Sequence, residues 1–194
     1  MAGETTTIPL IRTKLQRPPI VGEHVHRSQL LERLDQRRQR PLTLVTAPAG
    51  YGKSTLVSCW LEACGFPAAW LSLDETDNDL HLFLSYVLAA VQTVSAAAGK
   101  EIQAILNAPQ LPPFPILSAS LINELDKIDQ AFILTLDDYH VIQNKAIHDL
   151  LIEIINHPPR AMHLVLAGRV DPPLPLASLR ARGEMTCRLA APYR

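Results

Sequence analysis

The stretch from Leu42 to Trp60, LTLVTAPAGYGKSTLVSCW, constrains the fold of this chain more than any other. It opens with β-branched and apolar residues, as in a strand that is covered on both faces of a parallel sheet. A turn with two glycines follows, and a helix is predicted from Lys53 to a C-cap near Gly65. The order strand, glycine turn, helix predicts an α/β unit built around this turn.

The turn itself, residues 47–54 with the sequence APAGYGKS, has the spacing of the phosphate-binding P-loop. Its glycines let successive backbone N–H groups point at a phosphate, and the N-terminus of the next helix adds partial positive charge. Lys53 would reach the β- and γ-phosphates, and Ser54 would offer its hydroxyl to magnesium. Ala47 replaces the first glycine of the pattern, and a plain glycine turn is the alternative. The predicted nucleotide-binding residues are Ala49, Gly50, Tyr51, Gly52, Lys53, Ser54 and Thr55, together with Arg27 upstream of the loop.

The rest of the chain also alternates between predicted strands and predicted helices. Further strands are predicted at 68–74, 131–140 and 161–169, and a fifth strand begins near 186. An amphipathic helix precedes the P-loop, and residues 107–115 are expected to form a loop because they carry four prolines. A short helix is predicted around 120–127. We expect an extended lead-in over 1–25 and one α/β domain with a mainly parallel sheet over 26–194.

The third strand supplies a second candidate element, FILTLDD at 132–138. Asp137 would lie at its carboxyl end, where a carboxylate can hold the magnesium shell. Asp138 is the candidate to orient or deprotonate an attacking water. A solvated acidic turn is the alternative interpretation, and the upstream P-loop disfavours it.

Two arginines complete the candidate set. Arg169 ends the fourth strand and is either a solvated strand terminus or a sensor of the γ-phosphate, which requires its strand to lie between the P-loop strand and the Asp137 strand. Arg27, with His26, precedes the first helix and either lines an adenine pocket or lies on the surface.

Composition restricts the partners. The formal charge is −1, with 18 basic and 19 acidic residues, and gives no electrostatic footprint for a nucleic acid or an anionic membrane. Cys59, Cys64 and Cys187 form neither a disulfide framework nor a CxxC pair, so we expect buried thiols in a reducing, cytoplasmic compartment. The N-terminus lacks the pattern of a secretory signal, and no membrane-spanning segment is predicted.

Several segments together resemble the N-terminal nucleotide-binding domain of large LuxR-family transcriptional regulators of the MalT-like type. They are TKLQRPP, VHRSQLLERL, LVTAPAGYGKSTLVSCWL, AAWLSLDETDNDLHLFLSYVLAAV, FILTLDDYHVI and HLVLAGRVDPPLPLASLRARGE. The resemblance covers about Thr13 to Glu184 and implies a STAND-class P-loop ATPase with three layers and strand order 5-1-4-3-2. It implies ATP and Mg²⁺ as cofactors, with Val21 to Arg27 near the base. Family members continue into a winged-helix lid, an inducer sensor and a DNA-binding helix-turn-helix, so we expect this chain to be truncated after the core.

The function predicted from the sequence is therefore an ATP-binding switch module with slow or no hydrolysis. It would not bind nucleic acid or membrane itself, and it would self-associate in response to nucleotide. One alternative is a turnover P-loop ATPase of the AAA type, and the other is a non-functional truncated remnant with an exposed sheet edge.

Overall fold

A parallel five-stranded sheet forms the centre of the fold. The computed structural model describes residues 9–20, 28–36, 38–183 and 185–186. The strand order is β2-β3-β4-β1-β5, and every neighbouring pair is parallel. This is the predicted order 5-1-4-3-2 counted from the other edge, so the expected topology is confirmed. The strands are β1 (Leu42–Thr46), β2 (Ala68–Ser72), β3 (Phe132–Asp137), β4 (Met162–Gly168) and β5 (Met185–Thr186).

Seven α-helices connect and cover these strands within the described ranges. Short 3-10 turns add three further pieces, at Arg12–Leu15, Glu75–Asn78 and Tyr139–Val141. The helices are α1 (Ser28–Gln36), α2 (Lys53–Cys64), α3 (Leu80–Gln92), α4 (Lys100–Leu106), α5 (Phe114–Asp126), α6 (Lys145–Asn156) and α7 (Leu176–Ala181).

The sheet is buried on both faces, and alternate side chains of each strand belong to different hydrophobic clusters. In β3, for example, Leu134 packs in the cluster that also holds residues of α3 to α7, whereas Ile133 packs with residues of α1 and α2. Because both faces carry apolar residues, the strands have the near-continuous apolar sequences that suggested a covered parallel sheet. The predicted three-layer α/β fold is confirmed.

The elements around the glycine turn form at the predicted residues. β1 covers 42–46, α2 begins at Lys53, and Gly65 caps its end in the left-handed conformation with φ 67°. Here the local signals agree with the tertiary structure, because a buried strand and a glycine C-cap are both specified by adjacent residues.

The region from 100 to 126 differs from the prediction. Helix α5 begins at Phe114 and includes Pro115 in its first turn, so the expected loop ends earlier than 115 and the expected helix is longer than 120–127. Proline is tolerated there because the first N–H groups of a helix have no intrahelical acceptor. Helix α4 was not predicted, since its seven residues are too few to show a helical period.

The described part of the N-terminal lead-in is attached to the domain rather than simply extended. Its 3-10 turn places Lys14 among buried residues, and the Ile11 N–H donates to Tyr86 Oη at 3.1 Å. Further along, Ser58 Oγ on α2 donates to the Pro18 carbonyl at 2.7 Å. The segment 9–20 thus lies across α3 and α2.

The structure also bears on two expectations from composition, which concern membrane-spanning helices and the burial of the cysteines. No helix in the described ranges is long and apolar enough to cross a membrane. Cys59 and Cys64 are free and half-buried, so the expectation of fully buried thiols is wrong for both of them. Cys187 lies outside the described residues.

Candidate nucleotide-binding site

The glycine turn has the backbone shape that a phosphate-binding loop needs. It leaves β1 beside β4, where the Ala47 N–H donates to the Gly168 carbonyl at 3.2 Å. Gly50 and Gly52 adopt the left-handed conformation, with φ 79° and 69°, and Gly52 is the N-cap of α2. Residues with a Cβ atom adopt that conformation only at a cost in free energy, which explains why glycine stands at both positions. Ala49, Gly50, Tyr51 and Thr55 are exposed, so the loop opens toward solvent.

Lys53 is buried at the first position of α2. Only 8% of its surface is exposed, and its Nζ donates to the Pro48 carbonyl at 3.1 Å. The ammonium is therefore folded back over its own loop and held by a neutral acceptor. A buried cation is stabilised most by an anionic partner, and an anion seated in this loop would be one.

Asp137 is the last residue of β3 and is 3% exposed. It accepts a hydrogen bond from the Ser54 hydroxyl and, at Oδ1, one from the Asp138 N–H at 3.0 Å. Burial raises the pKa of Asp137 above the ordinary aspartate value, the neighbouring Asp138 adds to the rise, and Ser54 opposes it. The predicted pair Ser54 and Asp137 is thus brought together although 83 positions separate the two residues in the sequence.

Magnesium in nucleotide sites is held by few protein oxygens and completed by phosphates and water. In the described part of the chain, no group of three or more His, Cys, Asp or Glu side chains could hold a metal by itself. A hydroxyl and a buried carboxylate in contact fit the smaller requirement, because they are hard oxygen donors on the edge of the phosphate loop. Ser54 and Asp137 are accordingly the residues that could hold the ion.

Asp138, the residue after Asp137, has a left-handed backbone conformation. Its φ is 55°, which makes it the one non-glycine residue with positive φ among those described, and its side chain is 45% exposed. Aspartate tolerates the left-handed conformation better than most residues. The conformation ends β3 abruptly and starts the turn Tyr139–Val141, which carries His140.

His140 lies among the predicted site residues, although no role was predicted for it. Its Nδ1 is 3.7 Å from Asp138 Oδ1, and the ring feels the charges of Asp137, Lys53 and Arg169. Burial lowers the pKa of His140, and the two cations act in the same direction against the two carboxylates. The available signal was its position three residues after Asp137, which is too weak by itself to indicate a site.

Arg169 directly follows β4, and β4 lies between β1 and β3. The strand placement required for a phosphate sensor is therefore present. Arg169 is exposed, on the side of the sheet where β1 and β3 also end. Arg27, the remaining predicted nucleotide-binding residue, lies outside the described residues.

Comparison with known proteins gives the chain its relatives. It is 39% identical over 176 residues to the HTH-type transcriptional regulator MalT of Serratia proteamaculans and 38% identical over 176 residues to MalT of Yersinia enterocolitica. Each alignment covers 91% of this chain and 19% of the relative, so the chain spans about a fifth of the length of the curated relatives it matches. A scan of protein-family models finds no match.

Among solved structures, the chain is similar to Cdc6p from Pyrobaculum aerophilum, with a TM-score of 0.58 and 15% sequence identity. The similarity covers 92% of this chain and 49% of Cdc6p. At that identity it shows the fold alone, a parallel α/β sheet covered by helices. The sequence relatives show more, because they match at 36% to 39% over nearly the whole chain. The chain is therefore homologous to the N-terminal part of the MalT-type HTH transcriptional regulators.

Proposed function

We propose that this chain is the nucleotide-binding module of a MalT-like transcriptional regulator and that it binds ATP with magnesium. The observation that carries the proposal is the convergence of Lys53, Ser54 and Asp137 at the mouth of the glycine turn. A buried ammonium held by a carbonyl lies near a buried carboxylate that contacts a hydroxyl. Both charged groups are costly to bury, and a magnesium-bound triphosphate would compensate both.

Each residue has a distinct task in this proposal. The backbone N–H groups from Gly50 to Lys53 bind phosphate oxygens, and the Lys53 ammonium moves from the Pro48 carbonyl to the phosphates. Ser54 and Asp137 hold the magnesium ion, which neutralises phosphate charge when bound. Asp138 orients a water, and Arg169 contacts the terminal phosphate and responds to its loss.

Slow hydrolysis fits the same arrangement. The water-orienting carboxylate of Asp138 is 45% exposed, and no described residue donates a hydrogen bond that would fix it. The carboxylate is therefore poorly preorganised for catalysis. We propose that the bound nucleotide acts as a timer rather than as fuel for rapid turnover.

The regulatory role rests on the relatives. MalT proteins are named as HTH-type transcriptional regulators, and this chain corresponds to about a fifth of their length. We propose that nucleotide binding here controls self-association of a longer cytoplasmic regulator whose DNA contacts come from another region. The formal charge of −1 is consistent with a module that does not itself contact DNA.

Titration of the purified chain with a fluorescent ATP analogue, with and without magnesium, tests the proposal. Wild type should bind saturably and more tightly with magnesium, whereas Lys53→Ala should lose binding by about 100-fold or more. Lys145→Ala, which removes an exposed lysine from α6, is the matched control and should bind as wild type does. Equal affinity of wild type and Lys53→Ala would overturn the proposal.

A further inference from the structure

The histidine beside the candidate water-orienting carboxylate has an unpartnered nitrogen. His140 Nδ1 is buried and has no hydrogen-bond partner within the described residues. The nearest acidic oxygen, Asp138 Oδ1, lies 3.7 Å away, which is beyond hydrogen-bond range. A buried ring nitrogen without a partner costs free energy, so an arrangement that keeps one needs a reason.

The two side chains differ in how firmly they are held. The His140 side chain is 15% exposed and the Asp138 side chain is 45% exposed. The backbone of His140 packs against the end of β4, since a methyl group added to Gly168 would lie 3.4 Å from His140 N and 3.5 Å from its Cβ. The backbone of His140 is therefore anchored against β4 and its side chain is the less exposed of the two, so the Asp138 carboxylate is the partner with more room to move.

The geometry points to His140 as the positioning residue of the hydrolytic site, an inference that rests on the proposed nucleotide binding and goes beyond it. A movement of Asp138 Oδ1 by about 0.8 Å toward the ring would form a hydrogen bond in which Nδ1–H donates to the carboxylate. One carboxylate oxygen would then be fixed, and Oδ2 would remain to accept a proton from the attacking water. Orientation of a base by a third group is a general device of hydrolytic sites.

The surrounding charges fit this movement. The His140 ring is within electrostatic reach of the cations Lys53 and Arg169 and of the carboxylates Asp137 and Asp138. A triphosphate that engages Lys53 would add negative charge to this site and repel the Asp138 carboxylate. The N–H of His140 is a hydrogen-bond donor within reach of that carboxylate, so we expect their contact to respond to nucleotide binding.

Two substitutions separate hydrogen bonding from packing. His140→Asn keeps a side-chain donor near the position of Nδ1 and loses the ring, whereas His140→Phe keeps the ring volume and loses the nitrogen. His157→Phe, on an exposed histidine at the end of α6, is the matched control. The readouts are the affinity for the fluorescent ATP analogue and the single-turnover hydrolysis rate of magnesium-ATP with the chain in excess.

We expect His140→Phe to bind ATP with unchanged affinity and to hydrolyse it about tenfold more slowly, and His140→Asn to stay within about threefold of wild type. In the Asp138→Asn background, His140→Phe should cost no more than about twofold, because the two residues act as one unit. Additive losses, a slow His140→Asn beside a normal His140→Phe, or a wild type that binds ATP without hydrolysing it would each overturn this role and leave nucleotide binding standing. Absence of ATP binding by folded wild type would instead overturn the proposed function.

Discussion

Two lysines of this chain are buried to the same extent, but one is paired with carboxylates and the other with a neutral backbone carbonyl. Lys14 and Lys53 are each 8% exposed. Lys14 Nζ donates to both oxygens of Asp77 at 2.7 and 2.6 Å, lies 3.0 Å from Asp74 and sits over the Tyr86 ring at 4.5 Å. Lys53 donates to a backbone carbonyl. The first lysine has its counter-ions within the fold, and for the second we have proposed a phosphate as the counter-ion.

Two histidines repeat the difference. His163, on β4, donates from Nδ1 to the Arg40 carbonyl at 2.7 Å and accepts at Nε2 from the Thr43 hydroxyl at 3.0 Å. His140, at the opposite end of the same sheet, has no hydrogen-bond partner for its Nδ1 in the part of the chain that the structure describes. His163 therefore has both ring nitrogens hydrogen-bonded within the fold, whereas His140, beside the candidate site, has a buried nitrogen without a partner among the described residues. In these two pairs, hydrogen-bond partners separate the residue held within the fold from the residue of the candidate site, and burial alone does not.

The largest effect is expected at Lys14. Burial alone would lower the pKa of Lys14, but the hydrogen bonds and charges of Asp77 and Asp74 raise it above the ordinary lysine value. Lys14→Met leaves the fully buried Asp77 without its cation and should cost about 3–5 kcal/mol in free energy of unfolding, measured by urea denaturation. Lys145→Met removes an exposed pair with Asp149 and should cost at most about 0.5 kcal/mol.

The double variant Lys14→Met with Asp77→Asn sharpens that test. It should recover part of the loss because no charge then remains buried at this position. If Lys14→Met were as stable as wild type, the structural side of the comparison would be wrong.

The next effect is a pH dependence caused by His163. Burial lowers the pKa of His163 from 6.5 to about 4 in the folded chain. Because the unfolded chain binds the proton first, this residue stabilises the fold above pH 6.5, and its contribution falls by about 1.4 kcal/mol per pH unit between about 6.5 and 4. Over this window, the free energy of unfolding should fall more steeply with decreasing pH for wild type than for His163→Gln.

The exposed His157→Gln is the control for that slope, and its curve should follow wild type. Parallel curves for wild type and His163→Gln would show that the buried histidine is not held neutral. That result would contradict the interpretation of His163 as a neutral histidine held by hydrogen bonds within the fold.

A smaller effect, of opposite sign, is expected at Asp137. Its pKa is raised by burial, so the ionised form is disfavoured in the folded chain and stability is lost as the pH rises through the ordinary aspartate range. Asp137→Asn should therefore stabilise the chain at pH 7 by about 1 kcal/mol, and the gain should shrink on acidification. The same variant should lose the magnesium dependence of ATP binding.

Thermal unfolding across pH 4 to 8 measures this gain, with the exposed Asp129→Asn as control. A destabilised Asp137→Asn at pH 7 would mean that the carboxylate is held for structure, as Asp77 is. The comparison between groups held within the fold and groups of the candidate site would then fail at Asp137.

The sequence predicted most of the sheet and the placement of the site because its signals are local. A buried strand, a two-glycine turn and a helix C-cap at Gly65 each lie within a few residues, and they formed as expected. The carboxyl ends of parallel strands meet at one edge, so a P-loop on β1 and an aspartate at the end of β3 had to approach each other.

What the sequence could not supply are pairings between distant residues. The contact of Lys14 with Asp77 joins positions 63 apart, and nothing near either residue indicates the other. The roles of His140 and His163 depend on which hydrogen bonds each ring makes, which is fixed only when the strands assemble. The short helix α4 and the early start of α5 were missed because their local patterns are brief or begin with prolines.

The most direct test of the account is thermal unfolding of wild type and Lys53→Met with and without magnesium-ATP. Without nucleotide, the two melting temperatures should agree within the equivalent of about 1 kcal/mol, since a methionine fills a similar space and no carboxylate of the described residues forms an ion pair with Lys53. At about 100 times the dissociation constant, ATP should stabilise wild type by about 2.7 kcal/mol and leave Lys53→Met unchanged. An equal ATP-dependent rise in both proteins, or a loss of stability in Lys53→Met as large as that in Lys14→Met, would contradict the claim that this lysine is reserved for a ligand.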